Sequence, residues 1–309
     1  MCATCGCSDD GGVLVTDLDD LDRFDKANAH AGPTDKQNAG VTHGHSHDHD
    51  PAHDHNHPAH DNAHPGDHDH SPGRVVEVGP LGGQEDKLIL LEQQVLAKND
   101  LLAERNRGWL EARDTIAVNL MSSPGSGKTT LLERTIREAG QGISISVIEG
   151  DQATLLDANR IRATGCRVVQ VNTGAGCHLD ADMVRRALHT LAPPVGSVVV
   201  IENVGNLVCP ALFDLGENAR VVVMSVTEGQ DKPLKYPHMF RTADLVLLNK
   251  VDLLPYVDFD VEQFSAAVRA VRPQATICAV SATKGDGMEN WYAWLRQQTV
   301  PRILDSRTK

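Results

Sequence analysis

Three groups of side chains in this sequence have the types and spacing for chemistry. Cys2, Cys5 and Cys7 crowd the first seven residues, and a histidine tract follows. The tract holds His43, His45, His47, His49, His53, His55, His57, His60, His64, His68 and His70, interleaved with aspartates. Further on, Ser123-Pro-Gly-Ser-Gly-Lys-Thr-Thr130 forms a glycine-rich loop. Thiolates and imidazoles suit late transition metals, while such a loop suits nucleoside triphosphate phosphates. The combination points to a chain that handles a metal and uses a nucleotide to do so.

The loop is the most specific of the three. Thr115–Met121 is an apolar run leading into it, and a helix is expected from about Lys128, so backbone N–H groups converge on an anion. Gly125, Ser126 and Gly127 supply the turn, Lys128 reaches the β and γ phosphates, and Thr129, followed by Thr130, ligands Mg²⁺. Ser122 stands where the motif has its first glycine. Glu202 and Gly205, after a strand at Ser197–Ile201, resemble the acid-x-x-Gly element that senses the γ phosphate. Glu149 and Asp151 are expected at the same sheet edge, able to orient Mg²⁺ or the attacking water, although Asp151 could instead cap the next helix. The catalytic candidates are therefore Lys128, Thr129, Asp151 and Glu202. Base choice falls to Asn249-Lys250-Val-Asp252, where a carboxylate can accept from guanine N1 and N2. Adenine has no such donor pair, which favours GTP over ATP. Ser281-Ala282-Thr283 resembles the last loop touching the guanine oxygen.

Metal chemistry is read at three places. Cys2, Cys5 and Cys7 can form a sulfur-rich site that Ni²⁺ accepts as a planar set, whereas Zn²⁺ prefers a tetrahedron. The imidazoles of the tract can gather several divalent ions without fixed geometry, which fits storage better than catalysis. Cys177, His178 and Cys209 lie on two loops expected at the carboxyl edge of the sheet. They are either ligands, with the set completed across a dimer, or buried small hydrophobes and a surface histidine. Cys166 and Cys278 read as ordinary buried thiols.

These groups need elements to position them. Short apolar runs alternate with helical stretches from about Asp114 to Ile303. The strand expectations are Thr115–Met121, Ile143–Ile148, Val168–Val171, Ser197–Ile201, Arg220–Ser225, Leu245–Leu248 and Ala275–Val280. Helices are expected at Ala153–Ala163, Asp180–Leu191 and Val261–Val271. The fold class is α/β, a P-loop NTPase with a mostly parallel sheet covered by helices on both faces. Three segments are expected: a Cys and His/Asp-rich metal-binding tail over 1–80, an amphipathic helix and docking region over 81–113, and the GTPase domain over 114–309. The helix pattern rests on Leu88, Leu91, Val95, Leu102 and Leu110. The first 80 residues hold too little apolar surface to offset the entropy of ordering, so the tail reads as disordered when free of metal.

Charge excludes some roles. The formal net charge is −13, with fourteen aspartates against three cations in residues 1–70. Nucleic-acid backbone binding calls for clustered Lys and Arg, and none is present. No apolar run reaches the roughly 18 residues a membrane span needs. With no leader pattern and seven cysteines in no paired framework, the cytoplasm is the expected compartment.

Taken together, these residues closely resemble the HypB family of hydrogenase nickel-incorporation GTPases, along nearly the whole chain. The matching stretches are Met1-Cys-Ala-Thr-Cys-Gly-Cys7, the histidine insertion, Asn99–Arg107, Ser123–Leu132, Glu149-Gly-Asp151 and Asn172–Asp180. Glu202-Asn-Val-Gly-Asn-Leu-Val-Cys-Pro210, Asp231–Pro237 and Asn249–Asp252 complete the pattern. The resemblance implies a homodimeric GTPase that helps insert nickel into the large-subunit precursor of [NiFe]-hydrogenase. It implies Ni²⁺ or Zn²⁺ at Cys177, His178 and Cys209 on the subunit boundary, and a high-affinity nickel site in the terminal cysteine motif. It also implies a small zinc-containing HypA-like accessory protein docking near the helix before the GTPase domain. Hydrolysis is expected to be slow, because a switch needs a long-lived bound state. Three rivals remain: the urease nickel GTPase, disfavoured by Glu202–Asn206 and the long extension, a storage protein with the GTPase as passenger, and a non-enzymatic scaffold, for which Lys128→Ala would leave hydrogenase maturation intact.

Overall fold

The computed structural model describes residues 13–18, 84–139, 142–151, 155–174 and 176–299. Cys2, Cys5, Cys7 and the eleven histidines of the tract lie outside them. In chain order the strands are β1 (Leu14–Asp17), β2 (Ile116–Ser122), β3 (Ile145–Asp151), β4 (Arg167–Asn172), β5 (Val198–Glu202), β6 (Ala219–Ser225), β7 (Leu245–Asn249) and β8 (Thr276–Ala279). The helices are α1 (Gln84–Glu111), α2 (Lys128–Ala139), α3 (Leu156–Arg162), α4 (Ala181–Leu191), α5 (Lys232–Lys235), α6 (Pro237–Arg241), α7 (Val261–Val271) and α8 (Met288–Gln298).

The sheet order is β1-β4-β3-β5-β2-β6-β7-β8. Every pairing is parallel except β1 with β4. The central strands are near-continuous runs of Val, Ile and Leu because both of their faces are covered, as in β5 (VVVIE), buried at all positions. One face packs against α2, α3 and α8, the other against α4 and α1 on one side and α6 and α7 on the other. Parallel strands all end at one edge, so the last residues of β2, β3, β5 and β7 and the segments after β2, β4, β5 and β7 come together there, and these carry the candidate residues.

The expected strands all form, with ends moved by a few residues. β3 runs through Glu149 and Asp151, which therefore belong to the strand and not to the segment after it. Asp151 does not cap α3, whose N-cap residue is Leu155. An edge strand within the expected tail was not anticipated. Leu14–Asp17 pairs antiparallel with β4, and Leu18 is buried in the core. Four residues, Leu14-Val-Thr-Asp17, carry too little periodicity to announce themselves. Cys278 also departs from expectation. It lies on the edge strand β8 and is only partly buried, though burial still pushes its thiol pKa up.

The 28-residue helix α1 forms, but its packed face differs from the leucine pattern. Asn99, Ala103, Asn106 and Leu110 are the buried positions, whereas Leu90, Leu91 and Val95 are exposed. Docking is polar: Asn106 Nδ2 donates to the Ala181 and Leu215 carbonyls at 2.8 and 2.9 Å, and Arg107 pairs with Asp214 at 2.9 Å. Gly216 makes the close approach possible. At its φ of +86° a side chain is strained, and a Cβ would sit 2.5 Å from the Ala103 carbonyl oxygen. The helix α8 was also not anticipated; it is pinned by Trp291 donating to Thr135 at 2.8 Å and Tyr292 to Glu138 at 2.8 Å.

Candidate functional site: a nucleotide cleft beside a thiol–imidazole cluster

The loop between β2 and α2 turns through Gly125 and Gly127, at φ of +74° and +94°. A Cβ on Gly127 would lie 2.7 Å from the Asn249 amide, so that position also needs glycine for space. Lys128 Nζ donates to Ser122 Oγ at 2.7 Å. The serine in the first-glycine position is thus fully buried and holds the lysine over the loop. Ser123 donates to the Glu228 carboxylate, which ties the loop to the end of β6.

Glu149 and Glu202 share one register on neighbouring parallel strands, so both carboxyls project from the same face. Both are buried, and Thr129 Oγ1 donates to Glu202 Oε1 at 2.7 Å. One oxygen of each carboxyl, Oε2, is buried without a hydrogen-bond partner among the described residues. Burial, reinforced by Glu202, holds the Glu149 carboxyl well above the ordinary glutamate range. Burial also raises Glu202, against the pull of Lys128. Two orphaned carboxylate oxygens beside a threonine hydroxyl form a hard oxygen donor set, and this fits Mg²⁺.

This pair has a pH signature. With raised carboxyl pKa values the folded chain binds more protons than the unfolded one above the ordinary value of 4.5. The stability they contribute is present below that value and is lost as pH rises through the folded pKa values. Glu149→Gln is therefore expected to flatten the fall of the metal-free chain's thermal midpoint above pH 4.5. An identical slope in wild type and variant would mean that Glu149 is already ionised.

Asn249 donates to the Ser126 carbonyl at 2.9 Å and accepts from Ala282 N at 3.0 Å, joining three loops with one buried amide. Lys250, in a left-handed conformation, lies along the phosphate loop with Nζ 2.6 Å from the Gly125 carbonyl. Ser281 Oγ donates to Asp252 Oδ1 at 2.6 Å and fixes the carboxylate. Thr283 stands beside this contact, its carbonyl held by Arg134 at 3.1 Å. The open cleft is lined by Gly125, Gly127, Lys128, Thr129, Thr130, Glu149, Asp151, Glu202, Gly205 and Lys250. Asp157, Arg160 and Asn203 line it as well and were missed, for Arg160 because no motif frames it.

Cys177, His178 and Cys209 come together from the β4–α4 and β5–β6 connections, with their ligand atoms all within 4.8 Å of one another. The Cys177 and Cys209 sulfurs are 3.1 Å apart, and Cys177 Sγ lies 3.7 Å from His178 Nδ1. The His178 ring stacks on Phe213 at 3.9 Å between centroids. Burial lowers its pKa, with Asp180 opposing, so the imidazole is neutral and offers a lone pair near neutral pH. The backbone bends at Cys177 and His178, as two inward-facing neighbours need, and Asn206 Nδ2 donates to the Cys177 carbonyl at 3.3 Å. Asn203 links the cluster to the cleft, accepting from Leu179 N at 3.2 Å.

The profile of the CobW/HypB/UreG nucleotide-binding domain family matches residues 116–279. Over 226 residues the chain is 54% identical to the hydrogenase maturation factor HypB of Rhizobium leguminosarum bv. viciae, covering 73% of this chain and 76% of that one. The chain belongs to the HypB family of hydrogenase maturation factors. Membership makes it a P-loop GTPase of the CobW/HypB/UreG group. Among solved structures it is similar to HypB of Archaeoglobus fulgidus, with TM-score 0.63, 44% identity, and coverage of 66% of this chain and all of that one. It is also similar to Helicobacter pylori HypB, solved in complex with nickel: TM-score 0.62, 37% identity, and coverage of 65% and 95%. No described helix is long and apolar enough to cross a membrane.

Proposed function

We propose that this chain is a Mg²⁺-dependent, slow GTPase that delivers nickel during [NiFe]-hydrogenase maturation, with nucleotide state coupled to dimerisation and metal transfer. Lys128 and the Gly125–Thr130 loop bind the phosphates, Asp252 reads guanine, and Thr129, Glu202 and Glu149 hold Mg²⁺. Bound there, Mg²⁺ neutralises charge developing on the phosphates. Asp151 orients the attacking water. Cys177, His178 and Cys209 carry Ni²⁺ or Zn²⁺ as cargo, with coordination completed by a second copy of the chain. The cysteine motif at Cys2, Cys5 and Cys7 and the histidine tract load and store nickel. A HypA-like accessory protein and the hydrogenase large-subunit precursor are the partners, in the cytoplasm.

The observation that carries this reading is continuity. One segment runs from the buried acid Glu202, bonded to Thr129, through Asn203 and Gly205 to the thiol of Cys209. Gly205 lies against the loop itself, where a Cβ would be 3.0 Å from Pro124 Cα. A γ phosphate that shifts this segment shifts a metal ligand with it. Val208 and Leu212, which flank Cys209, are exposed apolar side chains suited to a second copy. Sedimentation of the full chain with a non-hydrolysable GTP analogue and Mg²⁺, against GDP, tests the coupling. Dimers favoured by the analogue in wild type, and less so in Cys177→Ala/Cys209→Ala, support it. Equal masses in every state would refute it.

A further inference from the structure

The thiol–imidazole cluster sits on two separate connections, and something must hold them in register. Asn99 of α1, only 5% exposed, touches both. Its Oδ1 accepts from Ala181 N at 2.9 Å, just after the loop that carries Cys177 and His178. Its Nδ2 donates to the Asp214 carbonyl at 2.7 Å, on the loop that carries Cys209 and the Phe213 ring stacked on His178. Two turns further along, Asn106 repeats the bridge to the Ala181 and Leu215 carbonyls. Asparagine is a poorer helix former than leucine or alanine, so helix formation gives no reason for either residue. A greasy face would bury more apolar area, yet it would leave these loop backbone groups unpaired.

We infer that Asn99 is a positioning residue for the metal centre: its carboxamide brackets the two ligand-bearing loops and sets the spacing of Cys177, His178 and Cys209. This rests on reading those three residues as a metal centre. A displacement of α1 moves both ligand loops together. Groups that orient metal ligands from outside the coordination shell characteristically change affinity by about 10–100-fold when removed.

The test uses the full-length chain carrying Cys2→Ser, Cys5→Ser and Cys7→Ser, so that thiolate-to-nickel absorption reports the remaining thiols. Ni²⁺ titrations compare this parent with Asn99→Ala, Asn99→Asp and Leu110→Ala, well below each variant's thermal midpoint. Asn99→Ala is expected to weaken thiolate-bound nickel about tenfold or more, with GTP hydrolysis unchanged. Asn99→Asp keeps the acceptor for Ala181 N but sets a buried carboxylate oxygen against the Asp214 carbonyl, so its loss should be at least that of Asn99→Ala. Leu110→Ala loosens the same helix through the core alone, lowering the midpoint while leaving nickel affinity within about twofold. Parental affinity in Asn99→Ala, or an equal loss in Leu110→Ala, would overturn the bracket. If adding Cys177→Ala/Cys209→Ala leaves the parent's absorption intact, the metal-centre reading itself fails, and the bracket with it.

Discussion

Asp252→Asn is expected to lower affinity for GTP by about 10²–10⁴-fold while raising affinity for xanthosine triphosphate. The guanine edge presents two donors, N1–H and the N2 amino group, to a carboxylate that Ser281 holds at 2.6 Å. An asparagine there still accepts from Ser281 and from N1–H, but its amide points a donor at a donor. Xanthine replaces the amino group with a carbonyl and restores the match. Equilibrium titration with both nucleotides reads the result. Unchanged GTP affinity would remove Asp252 from base recognition and leave specificity to Ser281–Thr283.

Lys128→Ala is expected to slow hydrolysis by about 10²–10³-fold, the usual effect of removing a preorganised group from charge developing in a transition state. Its ammonium rests on Ser122 Oγ at 2.7 Å above the loop, so little reorganisation separates this geometry from contact with a phosphate. Single-turnover hydrolysis at saturating GTP isolates the chemical step from weakened binding. A variant as fast as wild type would place the charge stabilisation elsewhere, with Arg160 in the same cleft the first alternative.

The nucleotide site was legible because its motifs are local and their spacing is tied to strand ends. Asn249 bonds to the Ser126 carbonyl and to Ala282 N, while Lys250, read for the guanine base, has its Nζ on the phosphate loop, a contact the motif does not announce. The convergence of Cys177, His178 and Cys209 was legible only as one of two alternatives. Two loops at one sheet edge can carry ligands without meeting, and Phe213, which stacks on His178, has no motif to announce it. The helix α1 shows the limit of apolar periodicity. Its leucine stripe lies partly in solvent, while the docked face reads Asn, Ala, Asn, Leu. Buried asparagines answering backbone groups 75 to 115 residues away leave no trace in a local pattern. The edge strand β1 escaped for a similar reason, since its pairing partner β4 lies some 150 residues along.

The central claim is that nucleotide state and metal are coupled through Cys177, His178 and Cys209. The direct measurement is Ni²⁺ affinity of the full chain with GDP and with a non-hydrolysable GTP analogue, in wild type and in Cys177→Ala/Cys209→Ala. The account predicts that the analogue changes nickel affinity in wild type and that this difference disappears in the double variant. The same nucleotide-dependent change in both proteins would contradict it, because the coupled metal would then sit elsewhere in the chain.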